Sequence, residues 1–211
     1  MQLIQPDLDH DLRNKIWGAL EILKIYLQKA ENDNKDISAL IKVKTALEQS
    51  LDLLDGKSSH VNIKNLSQMV RNSLIDIKPI ARARKINLEI ETADIPLPVS
   101  INKFVFLRII HNIVLNALEA AASRVTVRCG YYTGDYGGSV SPAVTVRNDG
   151  NSIDPVLLPG IFTKGFSTKG EGRGRGLSIV KQLLEENNGD LILFTSPGET
   201  EFLIIPGGTD E

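Results

Sequence analysis

Gly170 to Lys181 reads GEGRGRGLSIVK, four glycines in seven residues running straight into an amphipathic stretch. Glycine lets a backbone turn freely and lets N–H groups come close to the oxygens of a polyphosphate. A helix that begins directly behind such a turn adds the partial positive charge of its N-terminus. The segment therefore reads as a nucleotide lid, with Gly172, Gly174 and Gly176 supplying the turns. Leu177, Ile179, Val180, Leu183 and Leu184 form the face that packs the following helix onto a sheet. Taken alone, a glycine-rich turn before a helix reads equally well as a flexible loop, so the decision rests on its surroundings.

Immediately upstream stands IFTKGFSTKG (Ile161 to Gly170), in which Phe162 and Phe166 suit a packed lid base. Lys164 and Lys169 bring positive charge, and Ser167 and Thr168 bring hydroxyl donors, to wherever phosphate lies. Further upstream, VTVRNDGNSI (Val144 to Ile153) reads as a strand running into a turn. RIIHNIVLNALEA (Arg108 to Ala120) reads as a helix with Asn112 and Asn116 one turn apart. The rest of that helix is apolar or small, and two amides on a buried face each require hydrogen-bond partners. His111, about 100° around from Asn112, reads first as a packing residue and second as a group polarising an attacking nucleophile. Near the start stands HDLRN, His10 to Asn14. His10 and Asn14 share one helix face, while Leu12 lies about 200° away from His10 and faces inward.

The chain of 211 residues is long enough for two small domains. From Asp7 to Glu31 the apolar residues Leu12, Ile16, Leu20, Leu23 and Leu27 recur at helical spacing. After the polar break ENDNKD, a second stripe runs from Ile37 to Leu54 and stops at Gly56. Two helices cannot enclose such stripes alone, so the hairpin (1–57) is expected to pair with a second copy as a four-helix bundle, giving a homodimer. GKSSH (Gly56 to His60) reads as a linker, and His60 as ordinary surface. The remainder, 61–211, alternates element types: helix Leu66 to Arg84, strand Ile86 to Ile90, helix Ile101 to Ala122, strands Val125 to Cys129 and Ala143 to Arg147, helix Leu177 to Asn187, and strands Leu191 to Phe194 and Glu201 to Ile205. The fold class is α+β, with helices on one face of a mixed sheet.

Lysine and arginine total 24 against 26 acidic residues, so no basic field exists to attract nucleic acid. The lone Cys129 excludes an intramolecular disulfide framework, suits a reducing cytosol and reads as a small strand residue. No apolar run reaches the roughly 18 to 20 residues that span a bilayer, so no membrane contact is expected in this segment and the location implied is cytoplasmic.

These segments, in this order, resemble the boxes of a sensor histidine kinase whose ATP-binding domain is of the gyrase, chaperone, kinase and MutL type. GFSTKGEGRGRGL is most similar to kinases of the citrate and dicarboxylate sensor type, with a further likeness to sporulation phosphotransferases. The resemblance implies a Bergerat-type α/β sandwich binding ATP and Mg²⁺, with a response regulator receiver domain as partner. It makes His10 the phosphoacceptor, Asp11 the acceptor of the other ring-nitrogen proton, and Asn14 the residue that positions water for the reverse reaction. It makes Asn116 the Mg²⁺ ligand, through an oxygen suited to a hard cation, and sets Lys169 beside the γ-phosphate. Hydrolytic relatives carry a glutamate where this chain has Asn112, and an amide cannot take a proton from water; transfer to histidine is expected over hydrolysis.

One box departs from the pattern. Where relatives carry aspartate, any residue, glycine, any residue, glycine, this chain has Asn148 and Ser152 at the first and last places and keeps Gly150. Asn148 is a neutral acceptor for the adenine amino group; a one-residue register shift would make Asp149 the reader. Two rivals follow: a histidine phosphotransferase with a degenerate ATP domain, favoured by Asn148 and Ser152, and a partner-switch or anti-sigma type serine kinase, opposed by HDLRN on a dimer helix. A structural ATPase of the chaperone or gyrase kind ranks last.

Overall fold

A computed structural model of the chain describes residues 12, 15–20, 22–23, 26–27, 37, 40–41, 43–44, 46–47, 50, 61–63, 65–93, 95–133, 140–163 and 176–207. The described positions between 12 and 27 and between 40 and 50 are helical. Beyond them come strand β1 (Val61–Ile63), helices α1 (Leu66–Ser73) and α2 (Lys78–Ala83), and strands β2 (Asn87–Thr92) and β3 (Val99–Ile101). Helix α3 (Lys103–Ala120) follows, then β4 (Arg124–Thr133), β5 (Val140–Asn148), α4 (Gly176–Glu185), β6 (Asp190–Ser196) and β7 (Glu199–Ile205).

The single helix expected over Leu66 to Arg84 is two. Pro79 sits in the first turn of α2; it brings no N–H for the Ile75 carbonyl, and its ring disfavours a continuous helix through that position. At the break the N–H groups of Ile75 and Ile77 donate to the carbonyls three residues back, Asn72 and Leu74. β1 was not expected either. VNI is too short to alternate legibly, and it is a strand because it pairs antiparallel with VSI of β3 in a separate two-stranded sheet.

The main sheet runs in the order β2–β4–β5–β7–β6, parallel only between β2 and β4. Its register sorts the side chains by face. One row holds Ile90, Val127, Val146, Phe202 and Leu193; the next holds Thr92, Cys129, Val144, Ile204 and Leu191. All of these but Thr92 join the core with Ile109, Ile113 and Leu118 of α3 and Val180 and Leu184 of α4. The opposite face carries Glu91 against Arg128 at 2.6 Å and Arg147 against Glu199 at 3.5 Å. One apolar and one charged face is the alternation expected of a sheet covered on one side. α3 lies at the centre: ten of its residues are buried, and its first turn is capped by Asn102, which accepts from the N–H groups of Phe104 and Val105.

Candidate functional site

α3 brings the asparagine pair to the start of α4. Asn112 is buried, and its Nδ2 donates to the carbonyl of Arg108 at 2.8 Å within the same helix. That bond fixes the amide and turns Oδ1 toward Gly176, where an added Cβ would lie 3.3 Å from Oδ1 and 3.7 Å from Nδ2 of half-buried Asn116. A side chain at Gly176 would therefore press on the Asn112 amide, which would have to give by a few tenths of an ångström. Leu177, next in the helix, packs against the core, as do Phe162 and Leu183. Two amides and no carboxylate offer hard oxygen ligands of low charge, a donor set that suits a divalent cation shared with phosphate oxygens.

His111 points elsewhere. Its ring is buried, and Nε2–H donates to the Ser73 carbonyl at 2.8 Å, tying α3 to the end of α1. Burial holds its pKa below the ordinary 6.5, against the opposing pull of the Ser73 bond. The packing reading is the one its geometry supports. Cys129 is likewise buried in β4, and burial pushes its thiol up to about 11.

The turn after β5 holds the divergent box. Gly150 lies so close to the exit of α3 that a Cβ would sit 1.8 Å from the Ala120 carbonyl oxygen, which no side chain can satisfy. Asp149 is occupied locally: its Oδ1 accepts from the N–H groups of Ala122, Ser123 and Arg124 at 2.9–3.0 Å, and its Oδ2 accepts from the Ser123 hydroxyl at 2.5 Å. Desolvation pushes its pKa up, but the Ser123 hydroxyl and those three N–H groups outweigh it and hold the carboxyl well below the usual range. Both oxygens of Asp149 thus serve the α3–β4 connection. Ser152 is exposed and has no left-handed backbone, so glycine is not required there.

Asn148 ends β5 on the helix-facing side, in the row Leu88, Val125, Asn148, Thr200 and Thr195. It is 2% exposed and Thr200 is 4% exposed. Asn148 Nδ2 and Thr200 Oγ1 have no hydrogen-bond partner among the described residues. Leaving such a group dry and unpaired costs about 1–3 kcal/mol. Thr195 in the same row is satisfied, accepting from Ile153 N–H at 3.2 Å and donating to the Glu199 carbonyl. Thr200 was not legible in the sequence, where ETEFLII signals only a strand.

Among the expected site residues, Asn112, Asn116, Gly176, Asn148 and Gly150 are thus ranged along α3, the β5 turn and the first residue of α4. His10, Asp11, Asn14, Lys164, Ser167, Thr168, Lys169, Gly172 and Gly174 lie outside the described residues.

The family model of histidine kinase-, DNA gyrase B- and HSP90-like ATPases matches residues 103–209. The histidine-protein kinase AtoS of Escherichia coli (strain K12) is 23% identical over 205 residues, which are 93% of this chain and 33% of AtoS. The sensor protein CitS of Bacillus subtilis (strain 168) is 27% identical over 182 residues, 85% of this chain and 31% of CitS. The chain spans about a third of the length of these two relatives. Among solved structures, the catalytic domain of the histidine kinase ThkA superposes with a TM-score of 0.59 at 26% identity, covering 71% of this chain and 97% of that one.

Proposed function

The chain belongs to the family of histidine kinase-, DNA gyrase B- and HSP90-like ATPases, and on that premise we propose that it is the core of an ATP-dependent protein histidine kinase of two-component signalling. In this reading residues 61–211 bind Mg-ATP, and residues 1–57 form a helical hairpin that dimerises as a four-helix bundle. His10 attacks the γ-phosphorus through one ring nitrogen as its bond to the bridging oxygen breaks and ADP leaves, Asp11 takes the proton from the other nitrogen, and the phosphoryl group passes from His10 to a response regulator aspartate. Asn116 would hold the Mg²⁺, which would neutralise charge on the phosphates, and Asn112 faces the nucleotide beside it. Lys164, Ser167, Thr168 and Lys169 bind the phosphates, with Gly172, Gly174 and Gly176 forming the lid over them. In this reading the core acts in the cytoplasm, where a response regulator would meet it. No helix among the described residues is long and apolar enough to cross a membrane.

The observation that carries this reading is the fixed amide of Asn112 against Gly176. An amide pinned by its own helix cannot remove a proton from water, so a nucleotide held beneath it waits for a different nucleophile. The test is incubation with γ-labelled ATP and Mg²⁺ beside a His10→Ala variant. Acid-labile, alkali-stable label on the parent and none on the variant is expected. Without label and without detectable nucleotide binding, the phosphotransferase reading takes its place.

A further inference from the structure

We propose that Asn148 and Thr200 form a base-reading pair without a fixed donor–acceptor polarity, so that this chain accepts guanine as well as adenine nucleotides. The inference rests on the nucleotide site proposed above. Two polar side chains stand beside each other on neighbouring strands, both more than nine-tenths buried, each with a polar atom that has no partner among the described residues. Their row is otherwise closed by Leu88 and Val125 on one side and by the satisfied Thr195 on the other. The amide end lies at the glycine of the turn: Nδ2 is 3.1 Å from where a Cβ on Gly150 would be. Two unpaired polar atoms side by side in a buried row call for a polar occupant.

The chemistry of the pair decides which occupant. A carboxylate at position 148 would only accept. It would favour the amino group at C6 of adenine and repel the carbonyl oxygen that guanine carries there. An amide has both polarities, and rotation by a half-turn exchanges them. With Oδ1 toward the adenine amino group, Nδ2 donates to the neighbouring ring nitrogen. With Nδ2 toward the guanine carbonyl, Oδ1 accepts from its ring N–H. The Thr200 hydroxyl turns to suit either arrangement, since it both donates and accepts. Strong discrimination arises when the wrong ligand leaves a buried polar group unpaired, and here neither base does so. Asp149, the one carboxylate nearby in sequence, is held by the α3–β4 connection and does not restore the polarity.

Equilibrium binding of Mg-ATP and Mg-GTP to the whole chain, with Asn148→Asp and Thr200→Val beside it, tests the proposal. The parent is expected to bind the two within about tenfold of each other, and Asn148→Asp to shift the ratio toward ATP by about thirtyfold or more. Thr200→Val should weaken both without changing their ratio. A parent that prefers ATP by more than about a hundredfold, or a folded Asn148→Asp with an unchanged ratio, overturns the inference and leaves the nucleotide site standing. If neither nucleotide binds, both fall. The parent ratio decides even should Asn148→Asp fail to fold.

Discussion

The side chains that bear on the proposed chemistry separate by what their polar atoms already do. Asn112 has one end engaged and one end directed at the lid glycine, so a methyl group at position 176 meets an oxygen that cannot move away without breaking the Arg108 bond. Gly176→Ala is expected to keep its melting temperature within a few degrees while ATP affinity drops about tenfold, roughly 1.4 kcal/mol; isothermal titration beside thermal unfolding checks both. His111 makes the opposite case, a conspicuous ionisable group whose role is structural. Its folded pKa is depressed below 6.5, so the unfolded chain binds the proton more readily. The stability His111 contributes is therefore complete above about pH 7 and declines as pH falls below 6.5. His111→Gln keeps a donor for the Ser73 carbonyl and does not titrate; melting temperatures between pH 7.5 and 5 should fall less steeply for it than for the parent. The asparagine pair was legible because two amides in an apolar helix have no bland use. Thr200 and the engagement of Asp149 were not, because each depends on a partner from a distant segment.

At the level of elements, the junction between α3, β4 and β5 is the point where the site is held together. Asp149 gathers three N–H groups that would otherwise be left at the end of a helix and the start of a strand. Asp149→Ala is expected to lower stability by about 2 kcal/mol, measured by urea unfolding at neutral pH. Because folding depresses this carboxyl below its ordinary 3.8, its contribution is present above that value and is lost as acid protonates the folded form; parent and variant should converge in strong acid. Gly150→Ala should be worse, since the clash is with backbone and not with a side chain that can turn away. Element boundaries followed the same logic of local and remote causes. Pro79 announced a break in the sequence, although apolar spacing ran through it. β1 gave no announcement, since three residues acquire strand geometry only from their partner β3.

Across the whole molecule, the apolar stripes of residues 1–57 have two claims on them. Leu27, Ile37 and Ile41 are buried in the same cluster as Leu66, Val70, Leu74 and Ile77, so part of what the sequence assigned to a dimer bundle covers the α1 end of the nucleotide domain. Other residues of the segment face outward: Trp17 is 52% exposed, Ile22 71% and Tyr26 55%. Large side chains at such exposure gain about 1.5–3 kcal/mol each when fully covered, and a second copy of the chain offers that cover symmetrically. These two sets of residues make separable predictions. Trp17→Asp with Ile22→Asp should convert a dimer into a monomer in sedimentation equilibrium and leave the melting of the nucleotide domain nearly unchanged, because neither residue belongs to its core. Ile41→Asp should do the reverse, lowering that melting temperature through a charge placed in the cluster. A parent that sediments as a monomer would count against the bundle. If instead the first pair of changes also melts the domain, the hairpin and the nucleotide domain behave as one cooperative unit, and the boundary expected near residues 57–61 separates segments of sequence without separating two folding units.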